Sequence, residues 1–210
     1  MRGLYAIVDA DFLGARGVPL VPFAERVISA RPAAVQLRAK GAGAGDTVRW
    51  LRRLRPLCDA AGVLLFANDR PDLAVLARCD GVHVGQEDLS VEDVRRFSPS
   101  LRVGLSTHDE GQLRAALALR PDYVAFGPVF PTASKAQPSS VVGLDALGEA
   151  FALCRAAGIP LVAIGGIDVP RASAVATRAD MGAVIAALLP DEGIEGVGRR
   201  ADQLARALCA

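Results

Sequence analysis

The sequence predicts an α/β chain folded as a single eightfold βα (TIM) barrel over residues 1–210. Three observations carry this reading. Short apolar runs alternate with amphipathic stretches eight times, at roughly 26 residues per unit, which suits a compact barrel of this kind. No linker, low-complexity tract or charge block divides the chain. The notable polar residues nearly all follow the apolar runs, and in a barrel those positions gather at the end where chemistry is kept. A doubly wound open sheet is the alternative. It would normally carry a glycine fingerprint after its first strand, and Asp9-Ala10-Asp11-Phe12 is not one.

Leu4-Tyr5-Ala6-Ile7-Val8 is the first strand, with Asp9 just past its end, and a helix follows around Leu20 to Ala30. Ala34-Val35-Gln36-Leu37-Arg38 is the second strand. Its polar residues come at every second position, so Gln36, Arg38 and Lys40 project to one side if the extended geometry continues. Three polar groups on one side of such a strand are costly unless they meet a ligand or one another. An ion pair between Arg38 and an acid on the next strand is the structural alternative. A long helix then takes Asp46 to Ala61, with Asp46 as its N-cap.

Val63-Leu64-Leu65-Phe66-Ala67 is short and apolar enough to be a strand buried on both faces. It breaks at Asn68-Asp69-Arg70-Pro71, a turn into a helix with Pro71 in its first turn and Leu73, Leu76 and Ala77 on its apolar face. Cys79-Asp80-Gly81 turns the chain into Val82-His83-Val84, which stops at Gly85-Gln86-Glu87-Asp88. Neighbouring parallel strands bring Asp69 and Asp88 to the same end of the sheet, with Asn68 and Gln86 beside them. Carboxylates there suit a hard cation such as Mg2+, which takes one or two protein carboxylates and completes its shell with water and substrate phosphates. Alone, Asp69 also reads as a helix N-cap.

Helix Val91 to Phe97 leads to strand Leu101 to Leu105, which ends at Ser106-Thr107-His108-Asp109. Helix Glu110 to Leu119 and strand Tyr123 to Phe126 come next. The longest irregular segment follows, residues 127–142, with Pro128, Pro131 and Pro138. A loop of that length in a compact domain is usually functional or disordered. Thr132, Ser134 and Lys135 supply it with hydroxyls and a cation, as a phosphate site requires. Helix Leu144 to Ala157 precedes strand Leu161 to Ile164, which ends in Gly165-Gly166. Helix Pro170 to Thr177, the apolar run Ala183 to Ala187 and a final amphipathic helix, Ile194 to Leu208, complete the chain.

The Gly165-Gly166 pair lets backbone N–H groups approach an anion, with a helix N-terminus behind them, although such a pair also makes a tight turn. With Thr132, Ser134 and Lys135 it forms one anion site; Arg38, Lys40 and the magnesium ion form a second. No Ser-His-Asp set or Cys-His pairing is evident. Two anion sites without a nucleophile fit a reaction in which pyrophosphate leaves and a phosphorylated second substrate takes its place, driven by positioning and charge neutralisation. His83 and His108 are the only histidines. His83 lies within a strand and reads as a packed core residue or an acid–base group.

The 210 residues are 51% hydrophobic with a net charge of +1. That balance argues against a nucleic-acid or membrane-surface protein, since those usually show basic blocks. Arg49-Trp50-Leu51-Arg52-Arg53-Leu54-Arg55 has the spacing of a wet helix face. No apolar run approaches the roughly 20 residues of a membrane span, and the N-terminus enters a strand directly, leaving no room for a signal peptide. Cys58, Cys79, Cys154 and Cys209 are widely spaced, as reduced core thiols of a cytoplasmic protein would be.

The motifs YAIVD, VQLRAK, FANDRPDLAVLARCDGVHVGQEDL, VGLSTHD, DYVAFGPVFPTASK and VAIGGI run in the order found in one family, and the chain resembles thiamine-phosphate synthases over nearly its whole length. The resemblance implies coupling of 4-amino-2-methyl-5-hydroxymethylpyrimidine pyrophosphate to a thiazole phosphate, by departure of pyrophosphate and capture of a pyrimidine-methyl cation. It implies that Gln36, Arg38, Lys40, Asn68, Ser106 and Lys135 contact the pyrimidine pyrophosphate. Arg38, Lys40, Ser106 and Lys135 would be the catalytic set. Asp69 and Asp88 would hold magnesium. Thr132, Ser134, Gly165 and Gly166, with Ile185 and Ala186, would hold the thiazole phosphate. Three positions depart from the family's usual pattern. Ile185-Ala186-Ala187-Leu188 stands where Val-Ser-Ala-Ile is usual, Met181 where a small residue is common, and Ser134 within the usual Thr-x-Thr-Lys. A thiazole tautomerase-like paralogue and a non-catalytic barrel binding thiamine intermediates are the competing readings; the former typically lacks the full Gln-x-Arg-x-Lys and Asn-Asp sets. The expected partners are small-molecule substrates, with no nucleic acid and no membrane; the oligomeric state is not legible.

Overall fold

A computed structural model describes residues 2–132 and 140–209. Eight parallel strands close into a barrel in sequence order: β1 (Gly3–Asp9), β2 (Ala34–Arg38), β3 (Leu64–Asn68), β4 (Gly81–Val84), β5 (Arg102–Thr107), β6 (Tyr123–Phe126), β7 (Leu161–Ile164) and β8 (Met181–Val184), with β8 paired back to β1. Helices α1 (Ala10–Gly14) and α2 (Leu20–Ser29) follow β1. Then α3 (Ala44–Ala61), α4 (Pro71–Leu76), α5 (Val91–Phe97), α6 (Glu110–Ala118), α7 (Gly143–Ala157) and α8 (Val169–Ala176) follow the next six strands in turn, and α9 (Val197–Cys209) ends the chain. This is the eightfold barrel expected. None of the described helices is long and apolar enough to cross a membrane.

Alternation along each strand divides the apolar residues into two cores. Leu4, Ala6 and Val8 of β1 face the helices, where they join the large outer core with Leu51 and Leu54 of α3. Tyr5 and Ile7 face inward and meet Ala34, Phe66, Tyr123, Ala125, Val162, Met181 and Ala183. Phe66 and Tyr123 meet edge to face, with centroids 5.5 Å apart and planes at 90°. Gly104 makes room for Tyr123, since a Cβ there would lie 2.0 Å from the phenol ring. Met181 fills the interior at the start of β8, fully buried.

At the barrel floor one device recurs at every second strand. Asp80, Asp122 and Asp180 each stand just before β4, β6 and β8. Each accepts a backbone N–H from the preceding strand: Leu65 at 2.7 Å, Val103 at 2.8 Å and Leu161 at 2.9 Å. The same three residues donate their own N–H groups to the carbonyls of Leu65, Val103 and Leu161. Ala33 occupies the matching place before β2. It makes the backbone bond to Leu4 but has no carboxylate.

The structure moves several boundaries. Asp9 belongs to β1, and the short α1 that follows is not evident from periodicity. α3 begins at Ala44 with Gly43 at its N-cap, so Asp46 is a first-turn residue paired with Arg49 rather than the cap. β5 continues through Thr107, which puts Ser106 within the strand. β8 ends at Val184; Ile185 takes φ −115° and ψ −84°, and Ala186–Leu188 form a 3-10 turn instead of the last residues of a strand. Ile194 lies in a second 3-10 turn, Gly193–Gly196, before α9. Cys58, Cys79 and Cys154 are buried thiols pushed up to about 12 by burial, whereas Cys209 is exposed and not a core residue.

Two substitutions test the floor. Asp180→Ala should destabilise by about 1–3 kcal/mol, because the Leu161 N–H loses its acceptor. Ala33→Asp should stabilise by about 0.5–1.5 kcal/mol by adding the missing acceptor at Leu4. Midpoints of urea unfolding read both, and an Ala33→Asp variant less stable than the parent would show that the first junction is built differently.

Candidate active site

Parallel strands deliver their C-terminal residues to one mouth. A cavity of about 560 Å³ opens there, lined by Asp9 and Arg38 from β1 and β2, Ser106 and His108 from the β5 end, Thr132, Gly165 and Gly166, and Ile185 and Ala186 after β8. A smaller hollow of about 260 Å³ lies over β2 and β3, bounded by Lys40, Thr47, Asn68, Asp69 and Arg70.

The expected trio on β2 separates. Arg38 reaches the large cavity, and its Nη1 lies 2.6 Å from Oδ2 of Asp9, its register partner on β1. The ion-pair alternative for Arg38 is therefore realised, with the acid on the preceding strand. Asp9 is only 4% exposed, and its Oδ1 also caps α1 by accepting the Phe12 N–H at 2.9 Å. One carboxylate thus fixes both a guanidinium and the helix beside it. Gln36 is buried below the cavity, and its Nε2 donates to the Tyr5 hydroxyl at 2.9 Å. Lys40 lies beyond the strand and turns to Asp69, with Nζ 3.0 Å from Oδ2.

Asp69 does not cap α4: Arg70 holds the N-cap position with no side-chain bond, and Asp69 sits in the left-handed region at φ 61°. Its N–H donates to the His83 carbonyl at 2.8 Å, which joins the turn to β4. Asp88 accepts the Gly85 N–H at 2.7 Å. Its carboxyl is raised above the usual range, first by partial desolvation and then by the Asp69 carboxyl beside it, with Lys40 pulling the other way. Two carboxyls forced together at a strand-end turn fit a hard divalent cation that needs few protein ligands. Among the described residues no group of three or more His, Cys, Asp or Glu side chains is placed to hold a metal. Asn68 ends β3, half-buried, in the wall of the smaller hollow. Gln86 donates to the Ser106 carbonyl at 2.6 Å.

On the opposite side, Gly165 and Gly166 have φ values of 103° and 63°. A Cβ on Gly165 would meet Pro128 at 2.5 Å, and one on Gly166 the Pro131 carbonyl at 2.5 Å. The turn is laced to the preceding loop by bonds from Val129 N–H to the Ile164 carbonyl, 2.8 Å, and Phe130 N–H to the Gly165 carbonyl, 3.1 Å. These glycines therefore serve both turn and packing. The N-terminus of α8 behind them is already capped by Asp168, which accepts the Arg171 N–H at 3.0 Å. The bare backbone of the glycine turn and of the Ala186 turn remains the part that an anion can approach. Ser134 and Lys135 lie outside the described residues.

Four further residues shape the site without a signal in the motifs: Asp9, Arg16, Tyr5 and Tyr123. Asp9 was legible as an acid three residues before Phe12, the spacing of an N-cap. Arg16 stacks over the Phe12 ring at 3.7 Å on the cavity wall, a contact no spacing rule foretells. Tyr5 and Tyr123 look like core aromatics, yet their hydroxyls lie 2.7 Å apart, and that of Tyr123 is 2.9 Å from His83 Nδ1; His83 Nε2 in turn is 2.8 Å from Ser106 Oγ. His83 is thus a core residue that also touches a cavity residue.

The closed barrel, with charged and polar side chains from several strand ends meeting apolar walls in one cavity at its mouth, has the build of a βα-barrel enzyme. The model of one family, described as thiamine monophosphate synthase, matches residues 4–188. The chain is 43% identical over 192 residues to the thiamine-phosphate synthase of Koribacter versatilis (strain Ellin345), covering 90% of this chain and 89% of that protein. Against the enzyme of the same name from Methanocella arvoryzae the figures are 37% over 198 residues, 93% and 91%. Among solved structures, thiamine phosphate pyrophosphorylase from Pyrococcus furiosus superposes with a TM-score of 0.85 at 30% identity, covering 98% of this chain and 95% of that one. The chain belongs to the thiamine monophosphate synthase family, whose members are transferases.

The Asp9–Arg38 pair generates a test. Asp9→Asn keeps an oxygen for the α1 cap but releases Arg38, and should weaken binding of inorganic pyrophosphate about tenfold with little change in stability. Asp9→Ala should add a stability loss of about 1 kcal/mol from the lost cap. Titration calorimetry and thermal unfolding separate the two effects.

Proposed function

We propose that this enzyme couples 4-amino-2-methyl-5-hydroxymethylpyrimidine pyrophosphate to a thiazole phosphate, giving thiamine phosphate and pyrophosphate. The observation that carries the reading is one cavity with a cation-bearing side at Arg38 and Ser106 and a bare-backbone side at Gly165-Gly166 and Ala186. A pyrophosphate suits the first side and a phosphate monoester the second. The methylene–oxygen bond breaks with its electron pair leaving on pyrophosphate, and the thiazole nitrogen lone pair forms the new carbon–nitrogen bond. No proton need move in either step.

Arg38, oriented by Asp9, and the Ser106 hydroxyl bind the departing oxygens, and Lys40 and Lys135 neutralise the charge that grows on them. Asn68 orients the pyrophosphate beside the Asp69 turn, while Gln36 reaches the pyrimidine from below. Thr132, Ser134, Gly165, Gly166, Ile185 and Ala186 bind the thiazole phosphate. Asp69 and Asp88 are the residues that would hold Mg2+, whose chemistry is to offset pyrophosphate charge. We place the enzyme in the cytoplasm as one barrel domain acting on small molecules, with neither nucleic acid nor membrane as partner. The buried, protonated thiols support that location.

Incubation with both substrates and magnesium should yield thiamine phosphate; binding of both without pyrophosphate release would overturn the reading. Asp69→Asn, chosen because asparagine tolerates the left-handed backbone, should lower turnover about a hundredfold or more with the fold intact. Full activity in chelator would remove the metal from the account.

Ala186→Ser should tighten thiazole-phosphate binding roughly tenfold, the effect of one added hydrogen bond to an anion, with little gain in turnover because the phosphate is remote from the new bond. Comparing thiazole-phosphate titrations of the two proteins decides it, and weaker binding by the serine variant would exclude Ala186 from the phosphate site.

A further inference from the structure

We propose that Gln36, Tyr5, Tyr123 and His83 form a one-way hydrogen-bond relay that holds the Ser106 hydroxyl as a donor toward the cavity, making Tyr123 and His83 positioning residues. The identity of the anion that Ser106 meets rests on the reading above; the direction of the relay does not.

The direction follows from counting protons. Gln36 Nε2 can only donate, and it lies 2.9 Å from the Tyr5 oxygen. The Tyr5 proton then needs another acceptor, and among the described residues the Tyr123 oxygen, 2.7 Å away, supplies it. Having accepted there, Tyr123 directs its own proton to His83 Nδ1 at 2.9 Å. That nitrogen must be bare, so the neutral imidazole carries its proton on Nε2 and donates to Ser106 Oγ at 2.8 Å. Ser106 has then accepted within the protein, and its proton is left for the cavity that it lines. Both phenols are buried in the barrel interior, which holds them protonated and able to carry this order.

The reverse order strands a proton. Were Ser106 to donate to His83, Nδ1–H would donate to Tyr123 and Tyr123 to Tyr5. Tyr5 would then receive two donors while its own proton met none. A buried donor without an acceptor is the costlier arrangement. His108 supplies an internal contrast. Its Nδ1 lies 2.8 Å from the Gly127 carbonyl, which can only accept, so its proton is on Nδ1. The two histidines of the chain therefore carry opposite tautomers.

Having only two histidines makes this directly readable. Long-range proton–nitrogen correlation spectra of the ligand-free chain, labelled at histidine and recorded near pH 8, should show one ring protonated on Nε2 and the other on Nδ1. The His108→Gln spectrum should keep the Nε2–H ring alone. A His83 ring protonated on Nδ1 would overturn the relay. In a second arm, magnesium pyrophosphate is titrated into Ser106→Ala, Tyr123→Phe and the double variant. Each single change should weaken binding about tenfold, and the double variant should bind no more weakly than Ser106→Ala, because Tyr123 acts only through that hydroxyl. Additive losses would overturn the proposal. If Tyr123→Phe fails to fold, the spectrum of the unsubstituted chain decides. Opposite tautomers in a protein that forms no thiamine phosphate would uphold the relay and reject the proposed reaction.

Discussion

Three aromatic rings, Tyr5, Phe66 and Tyr123, fill the barrel interior, and two of them bring hydroxyls that cannot be left unpaired there. Much else depends on that constraint. Tyr123 occupies its position because Gly104 has no side chain, and the phenol oxygens need partners within reach of strands that offer mainly apolar groups. Gln36 and His83 provide them from β2 and β4, which is why a glutamine and a histidine stand in the otherwise apolar runs AVQLR and GVHV. Polar residues that look like candidates for substrate contact are thus, in part, what lets the interior close.

Above that layer, charges are set in pairs that restrain one another. Asp9 holds Arg38, and Lys40 lies against Asp69, which in turn crowds Asp88. The first pair is the more sheltered, and there the acid does two tasks by also capping α1. The second is half open to water, and its strength falls with salt. Charge at the mouth is therefore organised before any substrate arrives, and pre-set dipoles of this kind need little reorganisation as a reaction proceeds.

β2, β6, β7 and α5 have the bounds that the sequence indicates, because each is a clear run punctuated by turn residues or a Ser90 cap. β8 was not legible in the same way. Its run of small apolar residues continues past Val184, and only the backbone turn at Ile185 ends the strand. Asp69 and Asp88 could be put at one end of the sheet from order alone, but the left-handed backbone that frees Asp69 from capping could not be foreseen. Gln36 and Arg38 share a side, as alternation requires, yet their partners, Tyr5 and Asp9, come from the neighbouring strand about 30 residues away. Pairings across strands are set by register and packing, which a local pattern does not encode.

The floor acids have a consequence for the order in which the chain assembles. Each joins two strands adjacent in sequence, over separations of 15 to 19 residues. Such short loops cost little entropy to close, so pairs of strands can form early and independently. The seam between β1 and β8 is different, since it joins Gly3 to Met181. The cavity spans that seam, with Asp9 on one side and Ala186 on the other. Partly folded chains can therefore hold most of their strands and still lack a binding site. Catalytic competence is gained at ring closure, the step with the longest loop to close, which makes appearance of activity a sensitive clock for the end of folding.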